Sequence, residues 1–138
     1  MRNLTVKVLT LLVLLFSSWG CAEEITHDEK LAATRAVEFA EATFVRRHLD
    51  KGYALLADKA RAYVPLEIFT DKVNKMHPSG YPSKVTPVGS VLPVKGEKII
   101  HVRLRGEGGG ERFEYAVTVA GTAATDYRVT IFSGGRAS

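Results

Sequence analysis

Two periods divide the chain. From Asp28 to Met76 apolar residues recur every three or four positions, and from Val85 onward they alternate with polar ones. Ala33, Ala36, Val37, Ala40 and Phe44 form one helical stripe. Thr26-His27-Asp28-Glu29 reads as a capping box in front of it, with Thr26 accepting from the amide of Glu29. Arg46, Arg47 and His48 then fall in the last turns, where the helix dipole favours positive charge, and Gly52 follows as the C-cap. Tyr53 to Ala62 reads as a second helix with Leu55 and Leu56 inward. Pro65 opens a third at its first position, where a missing N–H costs nothing, and Leu66, Phe69, Val73 and Met76 continue its apolar face.

His77-Pro78-Ser79-Gly80-Tyr81-Pro82-Ser83 is a turn-rich connector, which places His77 in an exposed turn. Val85 to Val94 is strand-like but broken by Pro87, Gly89 and Pro93, as in an edge or bulged strand. Three cleaner strands follow. The first turns Ile100, Val102 and Leu104 inward, the second Phe113, Tyr115, Val117 and Val119, and the third, Thr125 to Phe132, Tyr127, Val129 and Ile131. Gly134 to Ser138 reads as a frayed tail. The expectation is an α+β domain over residues 27–133, with three N-terminal helices on one face of a curved four-stranded antiparallel sheet.

The first 20 residues follow neither period. Arg2 and Lys7 precede an apolar run, Val8 to Phe16, too short to span a bilayer, and Ser17-Ser18-Trp19-Gly20 lead to the sole cysteine, Cys21. This reads as a bacterial export signal over residues 1–20 ending in a lipobox. Cys21 would be acylated and become the new N-terminus, with residues 21–26 as a tether. Ordinary cleavage after Ala22, with Gly20 and Ala22 as the small pair, is the rival. Ala22, which is not Asp, favours the periplasmic face of the outer membrane. A single Cys allows no intramolecular disulfide. Loss of Arg2 and Lys7 lowers the net charge from +4 to +2, and no basic cluster carries interleaved aromatics, so nucleic acid is not an expected partner.

The Ala-rich first helix, the Asp50-Lys51-Gly52-Tyr53 stretch and the Tyr127-Arg128-Val129 strand together resemble the nuclear transport factor 2-like superfamily, over about Asp28 to Phe132. Cystatin-like curved sheets are a structural alternative. The resemblance implies a cone-shaped fold. Its members include isomerases, dehydratases, polyketide cyclases, assembly modules and scaffolds, so fold alone carries no activity.

A pocket in such a cone would be lined by Phe44, Phe69, Tyr115 and Tyr127, with His77 or Tyr81 at its rim. The inward strand positions hold two tyrosines and no acid–base pair; Glu111 has the inward phase at the hairpin end, and a helix could add Glu41 or Asp58. No catalytic residue is assigned. The four histidines, His27, His48, His77 and His101, show no ligand spacing, so neither metal nor cofactor is expected. The polar strand phase presents Arg103, Arg105, Arg112 and Arg128, a candidate face for an envelope protein or a second copy. The reading is a lipid-anchored envelope protein acting as a non-catalytic binding or assembly module. A small-molecule binder or enzyme using the cone, and an inhibitor or immunity-like protein, are the alternatives.

Overall fold

The structure is a computed structural model that describes residues 24–89 and 91–138. The expected export signal, Cys21 and the first part of the expected tether lie outside the described residues. Four α-helices and a π turn precede the strands: α1 (Glu29–Ala40), the π turn (Glu41–Val45), α2 (Leu49–Ala54), α3 (Asp58–Tyr63) and α4 (Leu66–Met76). The strands are β1 (Lys84–Pro87), β2 (Leu92–Pro93), β3 (Ile99–Gly108), β4 (Glu111–Thr122) and β5 (Asp126–Arg136). The sheet is five-stranded and antiparallel, in the order β1-β3-β4-β5, with β2 also paired to β3. The helices cover one face, so the domain is α+β as its two periods imply. No helix among the described residues is long and apolar enough to cross a membrane.

The helix boundaries differ from the periodic reading wherever a distant strand intervenes. Asp28, not Thr26, caps α1, its Oδ1 accepting from the Leu31 amide at 2.9 Å. The Thr26 carbonyl is already engaged by the Ala123 amide, and the Asp28 amide donates to the Tyr127 hydroxyl, so the chain is still extended there. The first helix does not run to Gly52. It closes in the π turn, where the Arg46 amide reaches Glu41 O at 2.8 Å, and Arg47 takes a left-handed φ of 57°. The basic triplet therefore follows a π turn, and Gly52 lies inside α2.

The expected second helix is two, α2 and α3, because residues 55–57 join the sheet edge. Ala57 N–H donates to Val129 O at 2.7 Å, and Val129 N–H to Leu55 O at 3.2 Å. These bonds protect part of the outer edge of β5. Pro65 caps α4 from outside its first turn, and Leu66 is 41% exposed, while Phe69 and Val73 are buried as the spacing predicts.

The strand phase holds through β3 and β4. Ile100, Val102, Leu104, Phe113, Tyr115, Val117 and Val119 all pack under the helices. In β5 it breaks. Thr118 pairs with Ile131 but Val119 with Val129, so a bulge inserts one residue. Ile131 is thereby turned out, 64% exposed, and Phe132 turned in. The strand also runs on to Arg136, so residues 134–136 are paired rather than frayed. Val85 to Val94 divides at Val88–Val91 into β1 and β2, which raises the strand count from four to five.

Helix α2 reaches the π turn through its glycine. A Cβ on Gly52 would lie 2.1 Å from Thr43 Oγ1 and 3.1 Å from Thr43 Cβ. Thr43 is itself fully buried, with a hydroxyl that finds no partner. Gly52→Ala is expected to cost about 2 kcal/mol through overpacking. Adding Thr43→Ala should recover part of it, an interaction that a double-mutant cycle on chemical unfolding measures directly.

Candidate functional site

Four of the six residues expected to line a pocket meet at one end of the helix–sheet interface. Phe44, delivered by the π turn, stacks on Tyr115 of β4 with ring centroids 4.4 Å apart and planes at 12°. His77, just past α4, stacks on Tyr81 at 4.4 Å and 15°. The Tyr115 hydroxyl and His77 Nε2 are 2.7 Å apart, and His77 Nδ1 is 2.7 Å from Val73 O. A carbonyl only accepts, so Nδ1 carries the proton and Nε2 accepts from the Tyr115 O–H. Tyr81 in turn donates to Asn74 Oδ1 at 2.6 Å, and the Arg47 guanidinium sits 5.3 Å above its ring. His77 is therefore not a turn residue in water: it is 5% exposed.

The other two residues lie elsewhere. Phe69 belongs to the central core, where its ring packs on Phe39, Tyr53 and Phe132. Tyr127 stands at the opposite end of the sheet. Its hydroxyl accepts from the Asp28 amide at 2.9 Å and donates to His27 Nδ1 at 3.0 Å, and His27 Nε2 donates to Glu97 O at 2.8 Å. This clasp fastens the entering chain to β5 and to the turn before β3. Beside it Arg35 grips both oxygens of Asp126 at 2.9 Å and also bonds Glu38. That bidentate pair holds Asp126 in a left-handed φ of 66° and keeps its carboxyl below the usual carboxylate range. Neither the His27–Tyr127 clasp nor the Arg35–Asp126 pair is signalled by sequence spacing. The only hint is an Asp in a turn, a residue type that tolerates positive φ.

The His77 cluster is arranged to hold rather than to react. Burial lowers the His77 pKa below its ordinary value, with the Val73 hydrogen bond opposing, so the ring is neutral near pH 7. Burial, with Tyr81 nearby, raises the Tyr115 phenol above its ordinary range. A general base needs a free lone pair within reach of substrate. That of His77 is occupied by Tyr115, and the surrounding space is filled by Phe44, Tyr81 and Phe113. Glu41 and Asp58, the helical carboxylates considered above, form no part of this cluster. Among the described residues no three His, Cys, Asp or Glu side chains converge as metal ligands.

A concavity lies on the other side of the sheet, away from the helices. It has a volume of about 550 Å³ and is lined by residues including Val88, Leu92, Arg103, Arg105, Glu114 and Ser133. Arg103, Arg105 and Arg112 are exposed on this face. Arg128, exposed as well, leans to the sheet edge, where Nη1 bonds Ala54 O at 2.7 Å. Large apolar side chains are exposed at Leu92 and Ile131 on the sheet, and at Tyr63, Leu66 and Ile68 on the α3–α4 corner.

Two outcomes follow from the His77 geometry. Folding holds His77 neutral, whereas the unfolded chain binds its proton below about pH 6.5. The stability that His77 contributes is thus present above pH 6.5 and is lost as pH falls through its lowered folded value. Thermal unfolding should show Tm dropping as pH decreases from 7 towards 5, with a shallower slope for His77→Gln. Tyr115→Phe strands the buried Nε2 lone pair and should cost about 1–3 kcal/mol in chemical unfolding.

Comparisons with family models, with curated proteins and with solved structures find no match to this chain, so the functional reading rests on its residues and their geometry.

Proposed function

We propose that this chain is a lipid-anchored protein of a bacterial cell envelope, tethered through Cys21 at the periplasmic face of the outer membrane, whose domain is a non-catalytic binding or assembly module. The N-terminal segment supports the address: a basic start, a short apolar run, and a lone Cys after Gly20. One observation carries the module reading. Phe44, Phe69, His77 and Tyr115, the residues that a cone-type pocket would use, are each at most 5% exposed and spend their surfaces and polar atoms on one another and on the core. The outside carries exposed arginines on the sheet and large exposed apolar side chains on the sheet and on the α3–α4 corner. An isomerase- or dehydratase-like use of the interior would need space and a free base, which these contacts do not supply. The likeness to the nuclear transport factor 2-like superfamily, with helices on one face of an antiparallel sheet, belongs to the same proposal.

Native mass spectrometry of the protein, released from its own envelope in mild detergent, tests the reading. The expected spectrum shows acyl mass on Cys21 and association with another macromolecule. Cys21→Ala should leave the chain extractable without detergent. A small organic molecule retained by the unaltered chain and released by Phe44→Ala would overturn the module reading in favour of an interior ligand site.

A further inference from the structure

The helix-free face of the sheet has its own chemistry. Arg103, Arg105 and Arg112 project from it, and among the described residues none lies within ion-pair distance of a carboxylate. Glu114 is the cross-strand neighbour of Arg105, and Lys84 pairs with Glu107 at 3.8 Å. The outward rows therefore carry an excess of positive charge. Lys95, Glu97 and Lys98, all exposed, add one net positive charge at the turn before β3, next to the point where the chain enters the domain. Leu92 and Ile131, 55% and 64% exposed, close the two ends of one cross-strand row, Leu92–His101–Thr118–Ile131.

Three features narrow the occupant. The sheet edges are poorly suited to strand addition, because Pro87 and Pro93 blunt one side, while Leu55, Ala57 and the Lys72 ammonium, bonded to Phe132 O, protect the other. A second copy would bring like charge against like charge. No outward residue of the five strands is aromatic, although aromatic anchors dominate protein–protein hot spots. A face of unpaired arginines with two isolated aliphatics matches instead the interface of an anionic bilayer, where cations meet phosphates and aliphatic side chains enter the headgroup boundary. The tether supplies the proximity. From Cys21 to Thr26 it spans at most about 17 Å, so the lysine-bearing end of the sheet is held close to the membrane that carries the acyl chains.

We infer that the helix-free face lies on an anionic lipid surface, with Arg103, Arg105 and Arg112 drawing headgroup phosphates and Leu92 and Ile131 entering the interface. The inference deepens the proposed function and rests on acylation of Cys21: the acyl chains hold the domain at the bilayer, and a cationic surface sets how it lies there. The α3–α4 corner, with Tyr63 and Ile68, is left pointing into the aqueous space.

The test uses the full chain, inserted through its own lipid into vesicles of phosphatidylglycerol and phosphatidylethanolamine. An environment-sensitive fluorophore is attached at position 133 through Ser133→Cys, and in a separate sample at position 67 of α4 through Glu67→Cys. Acylation blocks Cys21, so only the introduced thiol is labelled, and mass spectrometry verifies this. The expected result is a blue shift and quenching by brominated lipid at position 133, with position 67 remaining in water. Both effects should fall to the level of position 67 in phosphatidylcholine vesicles, in high salt, and in Arg103→Gln/Arg105→Gln/Arg112→Gln. That variant should keep the unaltered circular dichroism spectrum, and the salt arm stands if it does not. A position 133 that reports water in anionic vesicles while Cys21 is acylated overturns this inference and leaves the anchor intact. An unacylated Cys21 on a chain that does not join vesicles overturns the anchor and this inference with it. Shielding of position 133 in envelope extracts but not in protein-free vesicles of the same lipids assigns the face to an acidic protein and overturns the lipid assignment.

Discussion

Phe132 joins the two layers of this domain. Its ring lies 5.1 Å from Phe39, 6.1 Å from Phe44 and 5.5 Å from Phe69, so one strand residue touches α1, the π turn and α4 together. It faces inward because of the bulge opposite Thr118 and Val119. Without that extra residue Ile131 would take the inner position and Phe132 would stand in solvent. Lys72 marks the same point from the helix side, its ammonium 4.2 Å over the Phe132 ring and bonded to its carbonyl, with desolvation lowering its pKa. An aromatic core of this density fixes where the helices sit, and therefore how little room remains between them and the sheet.

That filling gives the molecule its division of labour. The tyrosines and the histidine that sequence places in or near the interior are taken up in two clasps at opposite ends of the sheet, Tyr115–His77 at one and Tyr127–His27 at the other. Each closes a junction between the sheet and a segment that covers it. The outward surface is left with the charges. A domain built this way meets other molecules at its skin.

Much of this was legible in the sequence. Alternation along β3 and β4 is a local property, so Ile100 to Val119 could be assigned to the inner face residue by residue. The Phe69–Val73 spacing of α4 was equally plain, whereas the α1 stripe was only partly so: Ala36 and Ala40 are buried, but Ala33 and Val37 are half-buried and the buried Ala32 and Phe39 lay outside the expected stripe. What escaped depends on partners distant in sequence. The break between α2 and α3 exists because Leu55 and Ala57 bond Val129. The cap shifts from Thr26 to Asp28 because Ala123 claims the Thr26 carbonyl. His77 sits among turn residues, and only the fold shows that Val73 and Tyr115 satisfy both of its nitrogens. The bulge is the hardest case: a single inserted residue reverses the phase of the strand beyond it, and alternation read without the partner strand cannot reveal it. Of the six residues considered for a pocket, Phe44, His77, Tyr81 and Tyr115 do meet, and they meet in contact with one another.

The clasp at Tyr127 has a mechanical side. Residues 26–28 enter the domain bonded to Ala123, Tyr127 and Glu97, and α1 starts only after them. A pull on the chain before residue 26 is therefore delivered first to the turn between β4 and β5 and to the turn before β3. Both are ends of strands embedded in the five-stranded ladder. The load is spread across the sheet instead of peeling the first helix from its end. A domain pulled by its N-terminal end is thus gripped at its hydrogen-bonded sheet.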